Sequence, residues 1–428
     1  MRTYLEILRI PGALKFSAAG LLARSGGAMM GLGIVLMVSA LYGSYGLAGA
    51  LAAANAVAWA GGTAVLSSLV DKYGQRRVMY PATVISVTML AVVVVLAVMQ
   101  VPAWVLFAPV VISGGTGGAP GALVRARWSN VTSDPHLLHA AFSLESTLDE
   151  ITFVVGPVVA TALSVGVHPA AGLVAPIILA LVGAQLFYSQ RSTEPPVPPR
   201  PADGSAPARR RFILFTPGVG SVVAVNLLIG CVFGSIDVSV VAAATEWGVR
   251  SASGVVLAIF SFASGVAGFV YGARHWHSPL TSRFVSGVIA LFLCAAGLLI
   301  AHTELLLAGV GLLVGATVAP TLINGNTLLE RMVPRERLTE GLSWMGTGLG
   351  IGVAVGSGIA GPVIDARGYT GGFSTVVGFA AAAAVIAVSS LPSLRRTVPH
   401  VALPDRADDA APTGSKDQDA ARDRDAAG

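Results

Sequence analysis

The chain reads as an all-α polytopic membrane protein of twelve transmembrane helices in two pseudo-symmetric six-helix bundles. Three observations lead there. Only 11% of its 428 residues are charged while 54% are hydrophobic, against about a quarter charged in soluble proteins. Apolar runs of the roughly 20 residues needed to cross a bilayer recur with short polar breaks. The longest break falls after the sixth run and splits the set evenly.

The first run, Phe16–Leu41, follows Arg2, Arg9 and Lys15. It is too long for the core of a cleaved signal and leads straight into another run, so it reads as a retained span. The remaining runs are 47–70, 78–99, 103–124, 138–166, 170–189, 217–244, 252–273, 281–301, 304–328, 339–364 and 370–392. Lys and Arg gather in alternate loops: Lys72, Arg76 and Arg77; Arg125 and Arg127; Arg209, Arg210 and Arg211; Arg274 and Arg283; Arg331, Arg335 and Arg337. Basic short loops stay on the cytoplasmic side. Both termini are therefore expected in the cytoplasm, with the protein in the inner (plasma) membrane.

The predicted organisation is an N-terminal bundle over 1–190, a Pro/Arg-rich cytoplasmic linker over 191–213, a C-terminal bundle over 214–394 and a disordered tail over 395–428. The linker contains PPVPPRP, an extended spacer composition. The tail mixes Asp, Arg and Ala without apolar periodicity. A faint repeat at an offset near 200 supports the division: Ala119-Pro120 and Ala319-Pro320, Pro135 and Pro334, Gly156 and Gly356. Parallel repeats of this kind suit transporters that bind solutes between the halves.

Glu145, Asp149 and Glu150 stand at the head of the fifth run, in LESTLDEITFVVGP. Residues 145 and 149 share one face of a helix, and Gly156 returns close to that face. Ionisable groups inside a bilayer are costly and mark function, so these carboxylates are proton-coupling candidates. Arg24, about 12 Å into the first run, is the candidate buried cation, placed to pair with Glu145 or Asp149. Arg125 and Arg127 lie at the inner end of the fourth run, where snorkelling to the surface accounts for them.

The loop after the second run reads LVDKYGQRR. Asp71, Gly74, Arg76 and Arg77 resemble the loop 2–3 signature of the major facilitator superfamily, GxLaDrxGrr. Ser67 replaces the leading glycine and Gln75 a basic residue. The resemblance extends to the whole twelve-span layout. It implies that this loop is a cytoplasmic gate whose acid faces the start of the eleventh helix near Thr339–Gly341, where a helix dipole favours an anion. The corresponding stretch of the second half, Gly272–His277, lacks the acid.

Gly156-Pro157 resembles the Gly-Pro core of the family's fifth-helix antiporter motif, with Ala160 and Ala162 where further glycines usually stand. Exporters of the family often carry an arginine deep in the fourth helix, and here that region, Pro109–Val111, has none. The first and seventh helices line the cavity in this family. By that resemblance Asp237 is a further proton or substrate contact, and Asn226, Asn324 and Asn326 are cavity-lining polar candidates. The four-residue glycine spacing over Gly346–Gly358 reads as tight helix packing.

The chain contains no GxxxxGK[ST], so it does not read as an ATP-driven pump. Neither a cofactor, a metal nor a nucleic-acid partner is expected, and the spans lack the residue sets of a membrane enzyme. Cys231 and Cys294 both lie in apolar runs. The expected function is proton-coupled efflux of a small amphipathic or drug-like molecule by a monomer working through alternating access. The alternative is proton symport of a sugar or organic nutrient.

Overall fold

A computed structural model describes residues 2–197, 218–274, 276, 278–333 and 338–397. Most of the linker (198–213), the first residues of the C-terminal bundle (214–217), nearly all of the C-terminal tail (398–428) and the two histidines His275 and His277 lie outside the described residues, as does Pro334 of the repeat.

The described chain is helical. A short helix α1 (Arg2–Arg9) precedes α2 (Ala13–Tyr42), α3 (Tyr45–Tyr73) and α4 (Gln75–Val98). Next come α5 (Phe107–Gly117), α6 (Pro120–Val131), α7 (Pro135–Gly166) and α8 (Ala171–Ser189). The second half holds α9 (Val219–Glu246), α10 (Ala252–Ala273), α11 (Leu280–Ala296), α12 (Glu304–Met332) and α13 (Leu338–Thr397).

Eleven described segments are long and apolar enough to cross a membrane. The last of them, Trp344–Arg396, has 53 residues, about 80 Å of helix for a hydrocarbon layer of about 30 Å. It leaves helical geometry at Gly368 (φ 68°, ψ −169°), a conformation glycine adopts without steric cost. Two passes therefore meet at that residue, and the total is twelve.

The fourth pass differs from the sequence expectation. In place of one helix over 103–124, a 3-10 turn (Ala103–Leu106) leads into α5 and then into α6, which continues to Val131. The break is at Gly118 (φ 64°) and Ala119, and Pro120 opens α6 at a position where its missing N–H costs nothing. The indole of Trp59 donates to the freed carbonyl of Gly118 at 2.7 Å. The matching Ala319-Pro320 lies inside unbroken α12. The repeat is thus conformationally unequal at this position.

Glycine lets α9 and α13 approach to backbone contact. A Cβ at Gly230, Gly234, Gly352 or Gly356 would collide with the facing main chain: Leu349 O, Val353 O, Leu227 O and Cys231 O respectively. Large apolar side chains then fill the layers between the other helices. Phe16 and Trp128 cross edge to face at 4.9 Å, as do Phe233 and Phe260 at 5.7 Å.

Helices of the first and second halves meet most tightly at the end of the molecule away from the chain termini, here the far end. Asp365 of α13 accepts from the hydroxyl of Ser44 and the amides of Tyr45 and Gly46 at 2.7–2.8 Å, capping α3 across the halves. Arg250, between α9 and α10, donates to Leu36 O and Ser39 Oγ of α2 at 2.8 Å each. Gly254 of α10 packs on Pro157 O and Thr161 of α7. Toward the near end, no residue of α3 from Gly61 to Tyr73 is buried.

Candidate functional site: a buried ion network in the N-terminal half

Glu145 projects from α7 into a fully buried position, with a relative exposure of 0%. Three donors converge on it. Arg24 of α2 donates to Oε2 at 2.6 Å, Ser17 to Oε1 at 2.6 Å, and the Trp128 indole to Oε1 at 2.8 Å. One turn further along α7, Asp149 Oδ1 lies 2.9 Å from Arg24 Nε, an ion pair without hydrogen-bond alignment. Arg125 of α6 donates to Asp149 Oδ2 at 2.8 Å. The result is a row of alternating charge: Glu145, Arg24, Asp149, Arg125.

Helical spacing explains the convergence. Ser17 and Arg24 are two turns apart on α2, and Glu145 and Asp149 one turn apart on α7. Arg125 and Trp128 are three apart on α6, so both face α7. Gly156 closes the arrangement: a Cβ there would lie 3.2 Å from Ala28 Cβ and 3.3 Å from Met29 Cγ, so glycine sets how near α7 comes to α2. Two carboxylates and two guanidiniums balance formally, which is what a low-dielectric site requires of its charges.

The members differ in access. The side chains of Glu145 and Arg24 are 0% and 7% exposed, those of Asp149 and Arg125 29% and 34%. One end of the row is sealed and the other reaches open space. Arg24 also keeps one buried nitrogen, NH1, without a hydrogen-bond partner.

One expectation needs correction, and one candidate, Glu150, stands apart from the row. It is exposed on another side of α7 and approaches α10, where a Cβ on Gly265 would sit 3.0 Å from its Oε2, because the next residue of a helix turns about 100° away. The corrected expectation concerns Arg125 and Arg127, which do not snorkel. Arg125 pairs with Asp149, and Arg127 is fully buried. The Arg127 guanidinium stacks over the Phe187 ring at 3.8 Å and donates to Gln75 Oε1, Gln190 O and Thr193 Oγ1 at 3.0 Å each. Neutral Gln75 is one of the two residues that depart from the loop signature. A basic side chain there would have met a buried cation.

The loop between α3 and α4 turns at Gly74 (φ 90°), which ends one helix and begins the other. Glu194 Oε1 accepts from the Arg76 amide at 2.9 Å and stands 3.3 Å from where a Cβ on Gly74 would be. Asp71 and Arg77 are exposed, and Asp71 has no ion pair among the described residues. The side chains of Thr339 and Glu340, at the start of the eleventh pass, lie outside the described set.

Asp237 lies toward the far end of α9, partly buried, with no hydrogen bond or ion pair among the described residues. Asn226 Nδ2 donates to Met345 O at 2.6 Å and so ties α9 to α13, while Asn324 Oδ1 accepts from Tyr271 at 2.9 Å. Asn326 is exposed. Pro157 is buried, and its carbonyl forms part of the α7–α10 contact. Among the described residues no group of His, Cys, Asp and Glu is arranged to hold a metal. Ser17 and Trp128 were not foreseen as network members. The visible signal was the seven-residue step from Ser17 to Arg24.

Comparison with known proteins supplies the family context. Residues 222–412 match the Major Facilitator Superfamily model. No curated sequence matches the chain. Solved structures agree in fold over most of its length. A point mutant of the nucleoside transporter NupG has a TM-score of 0.70 at 14% identity, covering 89% of this chain and 99% of its own. A bacterial homologue of the iron transporter ferroportin in an inward-facing state gives 0.67 at 15%, covering 90% and 99%. A bacterial homologue of the lysosomal transporter Spinster, inward-facing and unoccupied, gives 0.67 at 13%, covering 91% and 98%. These likenesses speak to fold alone. Together, residues 222–412 match the major facilitator superfamily, and the whole chain is a polytopic membrane protein with the twelve-pass fold of these solved transporters.

Proposed function

We propose that this protein exports small amphipathic molecules in exchange for protons, as a monomer in the inner membrane with both termini cytoplasmic. The observation that carries the proposal is the graded access of the ion network. Glu145 is sealed and holds three donors, so it serves as a fixed counter-charge for Arg24. Asp149, partly exposed beside Arg24 and Arg125, is the group that exchanges its proton.

Asp149 is held between the Arg24 and Arg125 guanidiniums, one from α2 and one from α6. A movement that separates α7 from α6 would remove Arg125 and favour protonation. The return movement would expel the proton. The far end closed by Asp365 and Arg250, with α3 unburied at the near end, supports an inward-facing resting arrangement able to receive both substrate and proton. Asp237 is a second titrating candidate on the opposite half. The Gly156-Pro157 step supports export as the direction.

The test uses proteoliposomes loaded with an amphipathic fluorescent cation such as ethidium and given an imposed pH gradient. Wild-type protein should move the dye against its gradient, and Asp149→Asn should lose that movement while eluting as a folded monomer. Gradient-driven movement by Asp149→Asn at the wild-type rate would remove Asp149 from the mechanism. Dye accumulation in the proton-flow direction would replace export by symport.

A further inference from the structure

A second polar site lies at the far end, well away from the ion network. Leu36 and Ala40 of α2, Ser164 and Val165 of α7, His168 in the following loop and Arg250 line an open cavity of about 250 Å³. Arg250 comes from the second half of the chain and every other residue from the first.

Its polar groups are under-used. One Arg250 nitrogen makes both bonds to α2, and the rest of this half-buried guanidinium has no partner among the described residues. Burial lowers its pKa, and the group that opposes this is the Tyr45 phenol. The carboxylates near Tyr45 take backbone amides: Glu246 accepts from the Tyr369 amide at 2.8 Å, and Asp365 caps α3. Ser164 is 6% exposed, and its hydroxyl, without a hydrogen-bond partner, is turned to Gly172 of α8, where a Cβ would collide with it. Nδ1 of His168 accepts from the Ala170 amide at 3.2 Å, so the neutral ring carries its proton on Nε2, as a donor. A cation without an ion pair among the described residues and a ring N–H thus border one open cavity.

We propose that this cavity binds a small soluble oxyanion, a carboxylate or a phosphate, held by Arg250 and His168. Such a ligand joins the second half to the first beside the Arg250–Ser39 bond. Its occupancy therefore stabilises the closed far end and restrains opening on that side, whichever way substrate moves.

The full chain in detergent, titrated with inorganic phosphate and in parallel with succinate over a constant chloride background, tests the site by thermal unfolding. A saturable rise in Tm of about 2 °C is expected for at least one of the two anions. His168→Ala alters an exposed ring outside the packed core and should weaken the apparent affinity about tenfold, the size of one hydrogen bond to a charged group. Arg250→Gln should abolish the rise. No saturable rise with either anion, or an unchanged midpoint in His168→Ala, would overturn the proposal. A response to one anion only assigns the ligand class.

Discussion

The Arg24 guanidinium meets Glu145 at 2.6 Å, with the carboxylate wholly buried and the arginine nearly so. Both partners give up hydration, and the pair persists because Ser17 and Trp128 satisfy the remaining lone pairs. Buried pairs of this type add little net stability, yet breaking one from a single side leaves an uncompensated charge.

Glu145→Gln should therefore destabilise the protein by about 3–5 kcal/mol. The double variant Glu145→Leu with Arg24→Met should be the more stable of the two, because no lone charge remains. Thermal unfolding in detergent separates them. A double variant less stable than Glu145→Gln would show that the pair itself supplies stability.

Packing of α9 against α13 makes a sharper prediction. Gly352→Leu places a side chain against the Leu227 carbonyl and should cost at least about 3 kcal/mol, seen as loss of monodisperse protein on size exclusion. Gly346→Ala, where nothing lies within 4 Å, should unfold within about 1 °C of wild type.

At the far end, Asp365→Ala removes three hydrogen bonds that cap α3 across the halves. Each is worth about 1 kcal/mol or more, so the equilibrium should move toward the far-open form. A cysteine at Leu47, in a background lacking Cys231 and Cys294, should then react faster with an impermeant maleimide. Equal labelling rates would show that Arg250 alone holds that end.

Gln75→Arg restores the basic residue of the loop signature but places it against Arg127. Loss of the 3.0 Å bond to Arg127 and the added like charge should lower Tm by several degrees. The double variant Gln75→Arg with Arg127→Gln should recover most of it.

The residues most legible in sequence were those whose chemistry conflicts with a bilayer. Arg24, Glu145 and Asp149 stood out because a charged side chain inside an apolar run demands a partner, and helical periodicity placed the two acids on one face. Partners supplied by distant helices were harder to foresee. Ser17 and Trp128 are ordinary residues until packing aims them at Glu145. Arg127 looked like a surface arginine because sequence distance from the end of the fourth run says nothing about the Phe187 ring and Thr193 that enclose it. The break at Gly118 was hidden because glycine also occurs inside close-packed transmembrane helices. Adjacent Ala119-Pro120 was in view, yet the same dipeptide in α12 leaves the helix intact.

That break alters how force passes through the fourth pass. A continuous helix behaves as a stiff rod, so tilting one end tilts the other. Here two levers share a glycine pivot. α5 stays clamped to α3 through the Gly62–Gly115 and Gly114–Asn55 backbone contacts, while α6 carries Arg125, Arg127 and Trp128 as a separate body. The arginine that faces Asp149 therefore rides on a segment whose helical bonding does not run on into α5, and Arg127 and Trp128 tie that segment to Gln75, Thr193 and Glu145 instead.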